Sequence, residues 1–566
     1  MNTPSEKLTA VEIIKANSNF LRGTIVESLQ DSASSAIAED DTQLSKFHGI
    51  YQQDDRDNRE ERRRQLLEPD YQFMIRARVP GGVCTPAQWL ALDEIARKWA
   101  NGTIRLTTRQ AFQLHGVLKR DLKASIRAIN DSLLDTIAAC GDVNRNVMCT
   151  PLPEASAIHR QVCEIAQTLS EHFTPHTTAY HEIWLISEDG REKVAGSKDR
   201  EPIYGPTYLP RKFKMSFAIP PRNDVDVFAH DLSFIAIAGK DGLEGFNVTV
   251  GGGMGVTHGD PATYPRLADM LGFCTPDQVV EISEAIVKIQ RDNGDRSERK
   301  HARLKYTIDD RGLEWLHDEI ERRIGYRLAQ DRPFEFTHTG DLYGWQQTAD
   351  DRWHLCLFLE NGRVADKGGS RQMSGLRAIA KVLKGEFRLT PNQNVIISNV
   401  NASDRALIDR LVQEHGLDNY RHASPLRLNS MACVGFPTCG LSMAESERYL
   451  PDLVDLIEAL LVKHDLEEQA ITIRMTGCPN GCARPYLAEI GLVGKGPGLY
   501  NLHLGAAFNG TRLNQKVRES VHEAEILALL DELLADYSGS REPNEAFGDF
   551  MLRSGVLQSG MEEAAV

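Results

Sequence analysis

Apolar residues recur at helical spacing in several stretches of the chain. DQVVEISEAIVKIQRD, SDRALIDRLVQEHG, PDLVDLIEALLVKH and AEILALLDELLADY each place them at three- and four-residue intervals, which predicts amphipathic helices. TPAQWLALDEIARKWA and SGLRAIAKVLKG read the same way. Between them lie shorter runs rich in aromatic and β-branched residues, among them FMIRARV, WHLCLFLENGRV and FNVTVGG, which predict strands. Alternation of the two kinds of element gives an α+β (α/β mixed) class.

The pattern also repeats. Residues 102–117 read GTIRLTTRQAFQLHGV and residues 385–400 read GEFRLTPNQNVIISNV. Gly102/Gly385, Arg105/Arg388, Leu106/Leu389, Thr107/Thr390, Gln110/Gln393 and Val117/Val400 hold identical offsets, and each block follows a predicted strand and helix. FNVTVGG and YNLHLGA echo each other more weakly. A duplicated chain predicts a pseudo-twofold molecule, and the junction between halves is where a large ligand would sit. Residues 1–65 break the pattern. YQQDDRDNREERRRQ is almost wholly polar with mixed charge, so this segment reads as a solvated tail or a docking arm that can be removed at small cost to the core.

The 566 residues allow three or more domains. No apolar run reaches the ~18–20 residues of a membrane helix, and the first residues lack the basic and apolar regions of a signal peptide, so the expected location is cytoplasmic. The net charge of −15 argues against nucleic acid as a partner. It also makes any basic cleft informative, because such a cleft works against the global field.

Four of the ten cysteines stand out. Cys433 and Cys439 in SMACVGFPTCG form C-x5-C, and Cys478 and Cys482 in MTGCPNGCARP form C-x3-C. Soft thiolates select an iron–sulfur cluster or zinc. Zinc knuckles are usually tighter than these, which favours [4Fe–4S], with zinc or unrelated core cysteines as the alternatives. Cys84, Cys140, Cys149, Cys163, Cys274 and Cys356 read as buried small hydrophobes.

Other polar groups invite two readings. Arg105, Thr107 and Arg109 alternate, so on one continuous strand they share a face, with Gln113 and His115 following. This is either an exposed polar face or a set of anion donors. Lys212 and Lys214 in RKFK share a face in the same way, as a solvated patch or an oxyanion site. GGGMG, with Gly252 and Gly253, fits neither a dinucleotide fingerprint nor a P-loop and reads as a turn. No flavin or nicotinamide motif is evident, so electrons for any redox chemistry come from another protein.

The two cysteine motifs, with FHGIYQQDDRD, PGGV, IRLTTRQAFQLHG, NRNVMCTP, TYLPRKFK and GFNVTVGGGMG in order, resemble the siroheme-dependent nitrite/sulfite reductase family nearly end to end. The resemblance implies a pseudo-twofold fold with ferredoxin-like half-domains at 66–145 and 346–422. It further implies a siroheme and substrate domain at 146–345, a cluster and siroheme domain at 423–566, and an N-terminal docking segment at 1–65. It implies that Cys433, Cys439, Cys478 and Cys482 hold a [4Fe–4S] cluster and that Cys482 also ligates siroheme iron. Arg105, Thr107, Arg109, Gln113, His115, Gly252, Gly253, Asn480 and Arg484 are then cofactor contacts. Arg76, Arg145, Lys212 and Lys214 form the catalytic substrate cluster. The implied reaction is six-electron reduction of sulfite to sulfide in assimilation, feeding cysteine biosynthesis, with nitrite as the alternative substrate. The implied donor is an NADPH-dependent flavoprotein subunit, with ferredoxin as the alternative.

Overall fold

Thr85 starts the first long helix. Its hydroxyl accepts from the Gln88 backbone N–H while the Gln88 side chain accepts from the Thr85 N–H, and Pro86 fills the first helical position. The helix, Pro86–Trp99, buries Trp89, Leu92 and Ile95 against a sheet. In this computed structural model the described residues are 8–152, 157–176, 182–187, 190–196, 201–240, 242–348 and 350–557. Residues 1–7 of the expected docking segment lie outside them.

The repeat becomes two five-stranded sheets. The first runs Ile50–Asp54, Tyr71–Ala77, Phe112–Val117, Ile104–Leu106, Arg363–Val364. The second runs Gly344–Gln347, Trp353–Leu357, Val395–Val400, Glu386–Leu389, Val83–Cys84. Each half therefore lends its short strand to the other's sheet. Trp89 seals the joint. Its ring stacks on Phe387 of the second half at 4.6 Å and meets Phe112 edge-on at 5.5 Å.

A second pair of sheets repeats the symmetry. Met148–Cys149, Met215–Ala218 and Leu232–Gly239 are parallel neighbours, followed by antiparallel Gly242–Val250 and Asp269–Cys274. Ser430–Ala432, Ile473–Thr476 and Ile490–Gly496 are parallel, followed by antiparallel Leu499–Leu504 and Gln515–Val521. The FNVTVGG and YNLHLGA echo thus marks the fourth strand of each.

The N-terminal segment differs from its expectation. Ile50–Asp54 pairs with Tyr71–Ala77 as the edge of the first sheet. Leu21, Leu44 and Phe47 are almost wholly buried in the core that also holds Phe213 and Phe217. The polar run at 51–65 hid this, because the apolar anchors lie in the less polar stretch before it.

Candidate functional site

Cys433 follows the strand Ser430–Ala432 and Cys478 follows Ile473–Thr476. Those strands are parallel neighbours, so both cysteine loops leave the sheet at the same end. The loops interlock tightly. A Cβ on Gly477 would lie 2.0 Å from Ser442 Oγ and 2.6 Å from the Ala444 carbonyl, so only glycine fits there. The Gly477 N–H donates to Cys433 Sγ at 3.3 Å, and Asn480 Nδ2 donates to Cys478 Sγ at 3.4 Å. Cys433, Cys439 and Cys478 are buried or half-buried, while Cys482 is exposed.

The four thiols interact as a group. Burial, then repulsion from Cys482 and Cys433, pushes Cys478 up to about 12. Burial and the other three thiols raise Cys439 further, and burial with Cys482 raises Cys433. Such a set ionises when a positively charged metal core relieves the repulsion. Among the described residues, no three His, Cys, Asp or Glu side chains converge on a point fit for one metal ion. Four soft thiol donors on two interlocked loops fit an iron–sulfur cluster.

Beside Cys482 lies a basic cleft. Arg76 stands on the strand Tyr71–Ala77, and Arg145 on a buried loop. Lys212 and Lys214 flank Phe213, whose burial turns both lysines to the opposite side, as their spacing predicts. Burial, then Arg211 and Arg303, pushes Lys212 down to about 7. Burial, then Lys212 and Arg109, drives Lys214 well below the usual lysine range. Burial also opposes the Arg76 charge but is outweighed by Cys140, Tyr51 and Cys482. Cys482 is thus in electrostatic contact with both Arg76 and Lys212.

The strand expected through Arg105, Thr107 and Arg109 stops at Leu106. Thr107–Ala111 is a hairpin turn closed by Gln110 N–H to the Thr107 carbonyl at 3.1 Å, and its repeat copy closes at Gln393 N–H to Thr390 at 3.1 Å. The three side chains therefore do not share one face. Arg105 is taken up by its own chain, donating to Glu447 at 2.7 Å and to the Ala432 carbonyl at 2.9 Å, with Gln113 accepting at 3.5 Å. Thr107 Oγ accepts from the N–H groups of Arg109 and Ala111 inside the turn. Arg484 is likewise engaged, by Asp226, the Thr108 carbonyl at 3.0 Å and the Pro391 carbonyl at 3.0 Å. These residues brace the cleft in this structure.

Near it some buried nitrogens lack a partner. Among the described residues, Arg76 Nε, Arg109 Nε and both ring nitrogens of His115 are buried without a partner. Burial, then Arg145 and Arg484, holds Arg109 down to about 9, and burial with Arg363 and Arg105 keeps His115 neutral. Orphaned donors beside a cationic cleft fit a tetrapyrrole that carries many carboxylates. The glycine loop is bound by protein. A Cβ on Gly252 would lie 2.2 Å from the Phe228 carbonyl, and one on Gly253 2.9 Å from the Arg303 guanidinium. Val256 N–H donates to the Pro479 carbonyl at 3.0 Å, which joins this loop to the Cys478–Cys482 turn.

Several supporting residues escaped the sequence reading. Cys140 accepts from Arg76 Nη1 at 2.8 Å, Asp231 pairs with Arg303 at 2.8 Å, and Glu447 joins Arg105 to Arg363. His503 packs its ring edge-on against Tyr486 at 5.2 Å.

Two crossed half-domains, an interlocked four-cysteine set and a group of buried cations beside it suit a redox enzyme acting on an anion. A family model for the nitrite/sulfite reductase ferredoxin-like half domain matches residues 64–132 and 346–415, and one for the nitrite and sulphite reductase 4Fe-4S domain matches 164–328. The chain belongs to the nitrite/sulfite reductase family. The 164–328 stretch is the half without the four cysteines, so their assignment rests on the site itself. The chain is 57% identical over 559 residues to a sulfite reductase [NADPH] hemoprotein beta-component of Myxococcus xanthus, covering 99% of each. It is 57% identical over 562 residues to the protein of that name from Geobacillus kaustophilus, covering 99% of this chain and 97% of that one. The solved Mycobacterium tuberculosis NirA protein superposes with a TM-score of 0.76 at 26% identity over 97% of both chains.

Proposed function

We propose that this chain reduces sulfite to sulfide as the hemoprotein component of an NADPH-dependent sulfite reductase. The carrying observation is a set of buried basic groups in which Arg76 and Lys212 are in electrostatic contact with Cys482, and in which Arg76 Nε and Arg109 Nε have no partner among the described residues. Cys433, Cys439, Cys478 and Cys482 would hold a [4Fe–4S] cluster, with Cys482 shared with siroheme iron. Arg109, His115, Gln113 and Asn480 would meet the siroheme, together with the Gly252–Gly253 loop. When bound, these groups would relay electrons arriving from the donor component, six per sulfite, and would supply a metal site for the anion.

The protein's own share is charge and protons. Arg76 and Arg145 present guanidinium donors suited to an oxyanion. Each departing oxygen needs two protons to leave as water. Lys212, poised near neutrality by burial and by Arg211 and Arg303, exchanges a proton readily at working pH. Lys214 and Lys212 repel one another, and a bound anion between them relieves that repulsion.

The chain carries no nicotinamide or flavin motif, and the relatives' name as a beta-component supports a companion component as donor. We infer that this companion is a flavoprotein that docks on the N-terminal segment. Arg56 donates to the carbonyls of Cys439 at 3.4 Å and Ser442 at 2.6 Å, so the segment borders the cysteine loop. The following helix, Arg59–Arg64, exposes Arg63 and Arg64.

Dye-driven steady-state kinetics test the reaction. Sulfite kcat/KM should exceed that for nitrite, and Lys214→Met should lower it by roughly 10²-fold with siroheme content unchanged. A preference for nitrite would overturn the substrate assignment. Arg63→Glu with Arg64→Glu should slow flavoprotein-driven turnover and spare the dye reaction. Equal rates with both donors would place docking elsewhere.

A further inference from the structure

The N-terminal helix Ala10–Asn17 sends one ammonium into the interior. Lys15 is fully buried, donates to Glu12 at 2.5 Å and to the Leu209 carbonyl at 2.7 Å, and stands 3.6 Å from Asp142. Asp142 is 2% exposed and is the node of the network. Arg299 grips its carboxylate with two nitrogens at 2.7 and 3.0 Å, and Arg211 lies 3.8 Å away. Arg296 closes the far side, donating to Glu12 at 2.5 Å and to the Tyr208 carbonyl at 2.7 Å.

The network sits where two substrate loops are sewn together. Leu209 N–H donates to the Asp142 carbonyl at 3.0 Å, Phe213 N–H to Val143 at 3.1 Å, and Arg145 N–H to Phe213 at 2.9 Å. One loop carries Arg145 and the other carries Lys212 and Lys214. A carboxylate shared by Arg299, Arg211 and Lys15 thus fixes the spacing of the two loops from beneath. Asp142 and Glu12 together face Lys15, Arg211, Arg296 and Arg299. They link the N-terminal helix, the 209–213 loop and the 296–299 segment at a single point.

We propose that Lys15 and Asp142 are positioning residues, through which the N-terminal helix sets the geometry of Arg145 and Lys212 around the oxyanion. This rests on the assignment of Arg145 and Lys212 to substrate. It makes the helix Ala10–Asn17 part of the substrate site, although none of its residues reaches the cleft lysines directly.

The test uses the holoenzyme with a dye donor. Lys15→Met keeps the apolar stem and leaves Asp142 paired with Arg299. It should raise KM for sulfite about tenfold through displacement of Arg145, and lower kcat through displacement of Lys212 by less than the roughly 10²-fold expected when a proton donor is removed. Siroheme and iron content should stay at the wild-type level, Lys15→Arg should restore KM, and Asp142→Asn should match or exceed the effect of Lys15→Met. Unchanged KM in Lys15→Met overturns the proposal. So does a fall in kcat that tracks cofactor loss, which marks a merely structural role. Where Asp142→Asn fails to fold, Lys15→Met decides alone. Lys212→Met run in parallel separates the two readings. If it leaves sulfite kinetics unchanged, the substrate assignment fails. If it raises KM while Lys15→Met does not, only the positioning role fails.

Discussion

Cys482 differs from the other three thiols in being exposed, and Arg76 and Lys212 feel its charge. In the proposed arrangement Cys482 would serve both the cluster and the siroheme iron, and its exposure suits that role. Cys482→Ser substitutes a hard oxygen that binds soft iron poorly. The expected outcome is altered siroheme absorbance, lost cluster iron, and a fall in sulfite turnover beyond the roughly 10–100-fold typical of outer-shell changes. Wild-type turnover with both cofactors intact would remove the bridging role. Asp224 makes a separate prediction from burial. Its carboxyl is pushed up from 3.8 to about 7, first by burial and further by nearby Asp341, despite a hydrogen bond from Thr150 at 2.9 Å. The native chain then keeps a proton that the unfolded chain releases. The stability this confers is fully present below 3.8 and is lost as pH rises through about 7. Asp224→Asn is neutral throughout. Its melting temperature relative to wild type should therefore climb between about pH 4 and pH 7 and level off above, and a constant difference would contradict the assignment.

At the scale of elements, the glycine loop after the strand Gly242–Val250 shows how a local motif acquires a structural reason. Its sequence predicts a turn and nothing more. In the fold, Arg303 and Lys305 hold its carbonyls, and its backbone joins the turn between Cys478 and Cys482. Gly252→Ala would drive a methyl into the Phe228 and His230 carbonyls. Overpacking of this kind costs about 1–3 kcal/mol, occasionally more. Because the loop braces a cysteine turn, cluster iron per chain should fall along with the melting temperature. A stable variant with full iron content would show that the backbone shifts freely. The hairpins at Thr107–Ala111 and Thr390–Asn394 teach a related lesson. The repeat was plain in the sequence, but strand alternation was extended through residues that turn, with Gln110 and Gln393 both at positive φ. Polar residues in a strand-like run do not announce where the chain reverses.

For the whole molecule, the decisive feature is exchange. Each half-domain borrows a two-residue strand from the other, so neither sheet is complete alone. The N-terminal segment takes part as well, supplying an edge strand and core residues. Deleting residues 1–60 should therefore abolish soluble, cofactor-loaded protein and with it both dye-driven and flavoprotein-driven turnover. Circular dichroism and siroheme absorbance of the purified truncation check this. A folded, dye-active truncation would restore the view of the segment as a detachable arm.

The sequence alone determined the helices, the duplication and the cysteine set, because each is written in local period or short spacing. It also flagged Lys212 and Lys214, since alternation around Phe213 is a two-residue matter. It could not assign Arg105, whose partner Glu447 lies far along the chain, or reveal that Lys15 and Asp142 meet in the interior. Strand exchange, the burial of the N-terminal helix and the depressed lysines beside Cys482 depend on which distant segments pack together. Burial and charge proximity exist only after the chain has folded, so tertiary structure alone decided them.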